Sequence, residues 1–338
     1  MTSYREAGVD LEGADRHVDA ISAIVTATWN TGVVGGFGGF AAGVELPPGL
    51  RRPVLMMSTD GVGTKLALAA ATRRWDGVGH DLVAMCVDDL AASGARPLAF
   101  VDYLAVGRLR PERDTAIVAS IAEACVVAGA ALVGGETAEH PGVMGVDDVD
   151  LAGAALGVVE YGRQIDGKDI RPGDRIIGLA SPNLRSNGFS LVRRIFDGDD
   201  LSSPMPGEEA SLGEVLTRPS VLYSPHVLAA IGAGRVKGAA HITGGGLPAN
   251  LPRTLPDGCG AELDPSTWDV PSVFTAIAER GSVAWTDMAD TFNLGIGFCL
   301  VIDQDDTDAV LGATAGAGSR IVGEVVDGRG VRFTRPLG

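Results

Sequence analysis

The chain has 338 residues, a formal net charge of −16 and a hydrophobic content of 46%. This length predicts roughly two domains, and the hydrophobic content is enough for a substantial core. The negative charge argues against general nucleic-acid binding, because the phosphate backbone would be repelled. A small anionic substrate remains compatible with this charge, provided that a metal ion and local cations offset it.

The four cysteines are widely separated and form no CxxC pair. Disulfides and zinc therefore have little support, and we expect reduced thiols in a cytoplasmic protein. Residues 1–10 contain no apolar run, so no signal peptide is predicted. The longest apolar stretch, residues 116–135, is interrupted by Glu123 and Gly129. We interpret it as a buried helix that leads into a strand rather than as a membrane span.

The first half of the chain alternates between apolar helix and strand patterns. Pro111 is suited to open a helix, and Gly129 is suited to close it. The predicted elements are helices at 17–29, 66–74, 81–93 and 111–128, and strands at 54–57, 98–106, 131–133 and 149–160.

Residues 161–173 are polar, and they separate two halves, which we place at 1–165 and 166–338. The mixed order of strands and helices in both halves predicts an α/β or α+β fold. The second half is predicted to contain a sharp glycine turn at 244–246 and a hairpin around residues 327–330. Its other predicted elements are helices at 189–195 and 222–232, and strands at 175–179, 292–302, 321–326 and 331–334.

Residues 58–65, Ser-Thr-Asp-Gly-Val-Gly-Thr-Lys, form the most informative motif. Asp60 can hold a hard cation, and Gly61 and Gly63 let the backbone approach an anion closely. Thr64 adds a hydroxyl group, and Lys65 adds a positive charge. The spacing differs from that of a P-loop. Because strands often end in a glycine turn without any ligand, this motif by itself is weak evidence for a phosphate site.

Two further acids follow apolar runs, Asp88 in the segment 81–90 and Glu136 after Gly134 and Gly135. Each acid alone could be a solvated cap. Asp60, Asp88 and Glu136 together are better explained by a magnesium ion, which takes one or two carboxylates and completes its shell with water and substrate phosphates. The default position of such a site is the cleft between the two halves.

Longer motifs resemble the aminoimidazole ribonucleotide synthetases, also called phosphoribosylformylglycinamidine cyclo-ligases. The matching segments occur in the family's order from residue 4 to residue 325. They are residues 4–10 (Tyr-Arg-Glu-Ala-Gly-Val-Asp), 36–40 (Gly-Phe-Gly-Gly-Phe), 58–65, 81–89, 134–139 (Gly-Gly-Glu-Thr-Ala-Glu), 141–142, 186–190 (Ser-Asn-Gly-Phe-Ser), 241–246 (His-Ile-Thr-Gly-Gly-Gly), 291–297 and 323–325.

This resemblance implies a homodimer whose N-terminal halves pair their strands into a central β-barrel, with a C-terminal α/β sheet layer covered by helices. It also implies that formylglycinamidine ribonucleotide and ATP give aminoimidazole ribonucleotide, ADP and phosphate. The implied course begins with phosphorylation of the formamide oxygen. The amidine nitrogen then attacks, and phosphate leaves as the ring closes.

The resemblance also implies roles for individual residues of this sequence. Asp60 and Asp88 would hold magnesium and phosphate, and Lys65 would lie near the nucleotide phosphates. Glu136 would be a metal ligand or a proton acceptor. Asn187 is placed with these as a catalytic residue, facing either the ribonucleotide phosphate or the reacting amides. The implied nucleotide- and phosphate-binding residues are Gly36, Gly38, Gly39, Gly61, Gly63, Thr64, Thr243, Gly244 and Gly245.

The sequence departs from the family pattern at several positions. Arg185 replaces the usual histidine before Ser-Asn-Gly. A guanidinium could serve if that histidine only contacts phosphate, but it cannot carry protons as an imidazole does. Asp290 stands where a basic residue is usual, Arg5 replaces a lysine, and Asp88 takes a position that is often asparagine.

Two alternatives therefore remain beside the cyclo-ligase hypothesis. One is a diverged enzyme of the same ATP-using superfamily with a related substrate. A selenophosphate synthetase would need an early reactive cysteine, whereas the first cysteine is Cys86. The other alternative is a non-catalytic dimer that binds nucleotide. No nucleic-acid or membrane partner is expected for any of the three.

Overall fold

The computed structural model describes residues 11–337, so the motif at residues 4–10, with Arg5, lies outside the described part of the chain. Two compact units are present. The first contains the described residues up to 90 together with residues 96–161, and the second contains residues 91–95 and the chain from 162 onward. No helix among residues 11–337 is long and apolar enough to cross a membrane.

The first unit is a four-stranded sheet with helices. The strand order is β3-β6-β4-β5, and the pairing is antiparallel except between β4 and β5. The elements are α1 (Leu11–Thr26), β1 (Val33–Val34), β2 (Gly43–Val44), β3 (Pro53–Gly61), α2 (Lys65–Thr72), α3 (Val78–Ala92), β4 (Arg96–Val106), α4 (Pro111–Ala128), β5 (Ala131–Glu139) and β6 (Val149–Glu160).

Both α4 and β6 have the predicted bounds, and local signals explain those of α4. Pro111 opens α4, where its missing N–H costs nothing, and Gly129 closes the helix at φ 71°. The Gly129 N–H donates to the carbonyl of Val126, which satisfies one of the last orphan carbonyls.

Glycines let the helices pack closely on one face of this sheet. A Cβ at Gly153 would lie 2.5 Å from the Phe100 ring and 3.1 Å from Leu82 of α3. A Cβ at Gly79 would lie 2.1 Å from the backbone of Ile121. Helix α3 can therefore approach α4 this closely only because residue 79 has no side chain. On the opposite face of the sheet, the Met57 side chain is 76% exposed.

Two strands, β3 and β5, run at least four residues past their predicted ends. β3 runs to Gly61, and β5 continues through Gly134 and Gly135 to Glu139, so the glycine-acid motifs begin inside strands instead of after them. The reason is long-range pairing. β6 provides partners for all of β3, and the long strand β4 provides parallel partners for the second half of β5.

The second unit contains a six-stranded sheet in the order β12-β9-β11-β7-β10-β8. Only β12 and β9 are parallel. The elements are β7 (Arg175–Ala180), α5 (Phe189–Ile195), α6 (Leu212–Leu216), α7 (Ser224–Ala233), β8 (Val236–His241), α8 (Gly246–Asn250), β9 (Cys259–Leu263), α9 (Ser272–Gly281), α10 (Trp285–Thr291), β10 (Ile296–Ile302), α11 (Thr307–Thr314), β11 (Arg320–Asp327) and β12 (Val331–Phe333).

Both faces of this second sheet are buried. Along β10, Cys299 and Val301 belong to one core cluster, whereas Phe298, Leu300 and Ile302 belong to another. Burial on both faces explains why the whole strand is apolar, without the alternation of a half-exposed strand.

The predicted hairpin at residues 327–330 is wrong, although both flanking strands exist. β9 lies between β11 and β12 and pairs with each of them. The connecting loop crosses the start of β9, where the Ala261 N–H donates to the Gly330 carbonyl and the Gly328 N–H donates to the Gly258 carbonyl. Local turn residues alone did not reveal this inserted strand.

Candidate active site

The end of β3 presents an exposed acid followed by a tight turn into α2. Asp60 Oδ1 accepts a hydrogen bond from the Gly61 N–H at 2.7 Å. Thr59 donates to the Gly153 carbonyl at 2.7 Å and anchors this end of the strand to β6. Gly63 has φ 69°, a left-handed conformation that favours glycine, so the turn depends on its second glycine.

The carboxylates of Asp60, Asp88 and Asp89 lie near the Cys86 thiol, by the end of β3. Burial and the nearby carboxylates of Asp60, Asp89 and Asp88 raise the pKa of the Cys86 thiol to about 12. Asp88 is fully buried, whereas Asp89 is exposed and accepts a hydrogen bond from the Ser58 hydroxyl at 3.5 Å. Asp60 and Asp89 are therefore the solvent-facing acids of this cluster, and the sequence had favoured Asp88.

The donor set suits a hard divalent cation, because closely spaced carboxylates repel one another unless a cation lies between them. Within residues 11–337, no three His, Cys, Asp or Glu side chains are arranged to hold a metal ion without further ligands. Magnesium commonly takes only one or two carboxylates and completes its shell with water and phosphate oxygens. Asp60 and Asp89 fit that pattern.

Lys65 lies inside the first unit. Its ammonium is 2.6 Å from Asp81 Oδ2, and the two side chains are 1% and 0% exposed. This ion pair ties the first turn of α2 to the first turn of α3. Lys65, which the motif suggested as a phosphate-binding residue, therefore also anchors α2, the helix that follows the turn.

The structure separates Glu136 from Asp60. Strand register places Asp60, Gly153, Asp102 and Gly135 in one row across the sheet, so Asp60 and β5 are three strand spacings apart, about 14 Å. Glu136 pairs with Tyr103 in the neighbouring row, and side chains of adjacent rows point to opposite faces. A single metal ion does not reach both acids within one chain.

Glu136 instead lines a cavity of about 530 Å³ beside α1 and β5. The glycine-rich segment forms another part of its wall through Gly36, Gly38 and Gly39. Gly38 has φ 81°, and a Cβ there would meet nothing within 4 Å. This volume is within the range of small-molecule sites. The apolar wall is formed by Val18, Ile21, Val25, Phe37, Val118 and Val133.

Two polar residues of this cavity were missed by the sequence analysis. Burial raises the pKa of Asp102 to about 7. Burial also lowers the pKa of His17, although the nearby Asp114 opposes this effect. His17 is 4% exposed, and its Nδ1 has no hydrogen-bond partner among the described residues. A signal existed for His17, which stands four and eight residues before Ile21 and Val25 on the buried stripe of α1.

The predicted residues of the second unit form their own cluster. Asn187 Oδ1 accepts a hydrogen bond from the Gly244 N–H at 2.9 Å. The Thr243 hydroxyl lies 3.4 Å from Asn250 Oδ1, and the Asn250 amide donates to the Gly244 carbonyl at 3.1 Å. Gly245 has φ 92°, so the glycine turn begins where predicted. The side-chain amides of Asn187 and Asn250 both hydrogen-bond to the backbone of this turn.

Arg185, two residues before Asn187, is completely buried, and its backbone has φ 59°. Its guanidinium donates to the carbonyls of Val221 and Gly297 at 3.1 and 3.4 Å, and it lies 4.7 Å from the centre of the Tyr223 ring. The arginine therefore anchors the loop that carries Asn187. Asp290, the other departure, is exposed on α10.

Comparison with protein families matches both units. Residues 44–159 match the family described as AIR synthase related protein, N-terminal domain. Residues 171–335 match AIR synthase related protein, C-terminal domain. The two matched ranges include both predicted motif groups, from Asp60 to Glu136 and from Asn187 to Gly245.

Curated relatives match over nearly the whole chain. The phosphoribosylformylglycinamidine cyclo-ligase of Thermosynechococcus vestitus is 47% identical, with 97% of each chain covered. That of Sorangium cellulosum is 46% identical over 98% of this chain and 97% of its own. Among solved structures, the hydrogenase maturation protein HypE in complex with ATP shares the fold, with a TM-score of 0.67, 18% identity and coverage of 97% and 93%. With identity at this level along its full length, the chain belongs to the phosphoribosylformylglycinamidine cyclo-ligase family.

Proposed function

We propose that this ligase closes an imidazole ring at the expense of ATP, converting formylglycinamidine ribonucleotide into aminoimidazole ribonucleotide, ADP and phosphate in purine biosynthesis. The observation that carries the proposal is the acidic cluster at the end of β3, where Asp60 and Asp89 face solvent beside the Gly61–Thr64 turn. ATP as co-substrate is supported by the likeness in fold to a protein solved with ATP.

The proposed chemistry has two steps. The formamide oxygen takes the γ-phosphoryl group of ATP, which turns a poor leaving group into a good one. The amidine nitrogen then forms a bond to the formyl carbon and loses its proton, and the carbon–oxygen bond breaks as phosphate leaves with its electron pair. Phosphoryl transfer relies mainly on positioning and charge neutralisation, so a protein without a covalent nucleophile can catalyse it.

Asp60 and Asp89 would hold the magnesium ion, with Asp88 buried behind them. Held by these two acids, magnesium would supply positive charge that offsets the charge of the phosphates. Gly61 and Gly63 leave room for phosphate oxygens next to the backbone, and Thr64 can donate its hydroxyl. Lys65, through its pair with Asp81, would fix the start of α2 and add positive charge near the phosphates.

The remaining predicted residues would bind the substrates. Gly36, Gly38 and Gly39 would cover a ligand in the cavity that Glu136 lines. In the second unit, Asn187, whose side-chain oxygen accepts the Gly244 N–H, would face a substrate phosphate or amide. Thr243, Gly244 and Gly245 would keep that turn in place.

We further propose a homodimer built on the open face of the first sheet. Four large side chains share that face by register and remain 41–76% exposed: Leu55, Met57, Val101 and Tyr103. An exposed apolar sheet face of this kind marks an interaction surface. Among the described strands, β3 and β5 each have one unpaired edge, which the edges of a second copy would pair to close a barrel.

Met57→Asp is expected to convert the dimer into monomers, because it buries a charge at the centre of the proposed interface. Light scattering coupled to size-exclusion chromatography measures the mass directly. Val126→Asp is the matched control, since Val126 is 60% exposed on α4 and away from this face. A Met57→Asp protein that remains dimeric would contradict the proposed interface.

The proposed activity is tested with purified protein, ATP, magnesium and formylglycinamidine ribonucleotide. We expect ADP and the aminoimidazole product to appear in equal amounts. Substrate-dependent ADP without imidazole would indicate the diverged enzyme, and tight ATP binding without turnover would indicate the nucleotide-binding dimer.

A further inference from the structure

The side chain of Arg185 joins two segments that lie far from it in the sequence. One terminal nitrogen of its guanidinium donates to the Val221 carbonyl at 3.1 Å, and the other donates to the Gly297 carbonyl at 3.4 Å. The same group lies 4.7 Å from the centre of the Tyr223 ring, within the range of a cation–π interaction. All of these residues belong to the second unit. A fully buried guanidinium with partners in two directions fixes the backbone that carries it.

The Gly297 carbonyl also connects Arg185 to the glycine turn that follows β8. It accepts a hydrogen bond from the Ile242 N–H at 3.0 Å, and Gly244 of the turn comes two residues later. From the other side, Asn187 accepts the Gly244 N–H at 2.9 Å. The loop that carries Asn187 and the glycine turn are therefore held together at two points, the shared carbonyl and the side-chain amide.

The conformation of this loop is not one that its residues prefer locally. Arg185 has φ 59°, a left-handed conformation that is unfavourable for an arginine. The Ser186 hydroxyl oxygen is buried and has no hydrogen-bond partner among residues 11–337, which is a further cost. Strained residues of this kind persist only where the surrounding structure determines their conformation, and they cluster at functional sites. The contacts of the Arg185 side chain help to determine it here.

Asn183 supports the same backbone from the start of the loop. Its Oδ1 accepts the Arg185 N–H at 3.0 Å, and its amide nitrogen donates to the Pro219 carbonyl at 2.8 Å. The Asn293 amide in turn donates to the Asn183 carbonyl at 3.0 Å. These bonds orient the backbone at Arg185 so that its side chain enters the interior of the unit.

This arrangement excludes for Arg185 both roles that were open to a histidine at this position. The guanidinium is fully buried and donates to backbone carbonyls, so its charge is not presented to a ligand phosphate. It also keeps its proton at neutral pH, so it cannot pass a proton to or from a substrate. The remaining role is the geometry that it imposes on the residues beside it.

We propose that Arg185 is a positioning residue for the ring-closing reaction, which sets the separation of the Asn187 loop from the glycine turn and thereby orients Asn187 towards the ribonucleotide. This inference rests on the proposed function. A displacement of about 1 Å in the groups that orient a substrate can lower a rate by about 10²-fold. A residue that does not touch the substrate can therefore control turnover.

Arg185→Gln replaces the five donors of the guanidinium by an amide with two and removes the charge. We expect kcat/KM for the ribonucleotide to fall by about 10²-fold. The magnesium dependence of the rate should stay that of the wild type, because Asp60 and Asp89 are unchanged. Arg193→Gln is the matched control, since Arg193 is an exposed arginine on α5. A wild-type kcat/KM in Arg185→Gln would overturn the proposal.

A double-variant cycle separates positioning from a general loss of folding. If Arg185 acts through Asn187, the double variant Arg185→Gln/Asn187→Ala should be no slower than Asn187→Ala alone, because groups that act as a unit have non-additive effects. Additive losses would show that the two residues act independently and would overturn the proposal. Urea unfolding shows whether each variant is folded in the assay. If Arg185→Gln does not fold, Arg185→Lys, which keeps the positive charge, takes its place in the same cycle.

Hydrogen exchange gives a readout that does not depend on activity. The Gly244 N–H is protected by its hydrogen bond to Asn187. In Arg185→Gln this amide should exchange about tenfold faster, roughly the effect of losing one hydrogen bond, whereas in Arg193→Gln it should exchange as in the wild type. Unchanged exchange in Arg185→Gln would overturn the proposal. A wild-type protein without turnover would instead refute the proposed function, and the exchange rates would still decide whether Arg185 holds the loop against the turn.

Discussion

Asp60→Asn is expected to reduce kcat by about 10²–10³-fold without unfolding the protein. A metal ion contributes several kcal/mol of charge stabilisation in phosphoryl transfer, and each 1.36 kcal/mol corresponds to a factor of ten in rate. Asp60 is exposed at the end of β3, so no core packing is lost. An asparagine oxygen can still accept the hydrogen bond from the Gly61 N–H.

The diagnostic measurement is the magnesium dependence of the rate. If Asp60 holds the ion, the variant should need much more magnesium, and saturating magnesium should restore part of the rate. Asp89→Asn should show the same dependence, because it is the second solvent-facing acid of the cluster. Asp150→Asn, the change of an exposed acid on β6, should behave as the wild type. Unchanged turnover in Asp60→Asn would remove Asp60 from the site.

Local chemistry explains which elements were predicted correctly. α4 is framed by Pro111 and Gly129, and α5 begins directly after Gly188, which has φ 77°. Residues that start or end a helix in this way act within a few positions, so they can be recognised from sequence. The ends of β3 and β5 depend instead on strands far along the chain, which continued the pairing through glycines that looked like turns.

The residues of the candidate site divide in the same way, into those that a local motif identifies and those that depend on strand pairing. Asp60 and the glycine turn at 61–63 could be recognised from a compact motif. Asp102 could not, because it stands alone in an apolar strand, and its meaning depends on Gly135 on the paired strand. The opposite faces occupied by Asp60 and Glu136 follow from register, which one sequence does not specify.

Asp88 and Asp89 show how finely exposure depends on helix rotation. Adjacent residues on a helix differ by about 100° in direction, so one acid faces the core and the other faces solvent. The apolar stripe of α3 is broad, and the sequence pattern did not decide which acid was outside. In the structure Asp88 is buried, whereas Asp89 is exposed and accepts a hydrogen bond from Ser58 of β3.

Lys65→Met is expected to destabilise the first unit by about 3–5 kcal/mol, because it leaves the Asp81 carboxylate buried without its ammonium partner. The double variant Lys65→Met/Asp81→Leu should recover most of that loss, since two apolar side chains avoid the cost of desolvating charges. Urea unfolding of the single and double variants gives the coupling free energy.

The exposed pair between Arg110 and Asp147 is the matched control. Its nitrogen–oxygen distance is 2.9 Å, but the side chains are 47% and 77% exposed, so Arg110→Ala should cost less than about 1 kcal/mol. Turnover of the double variant then separates the two roles of Lys65. If the lysine only anchors α2, the restored fold should restore most of the rate. If its charge also acts on the nucleotide phosphates, the double variant should be stable and nearly inactive. A single variant as stable as the wild type would show that the buried pair does not hold α2 in place.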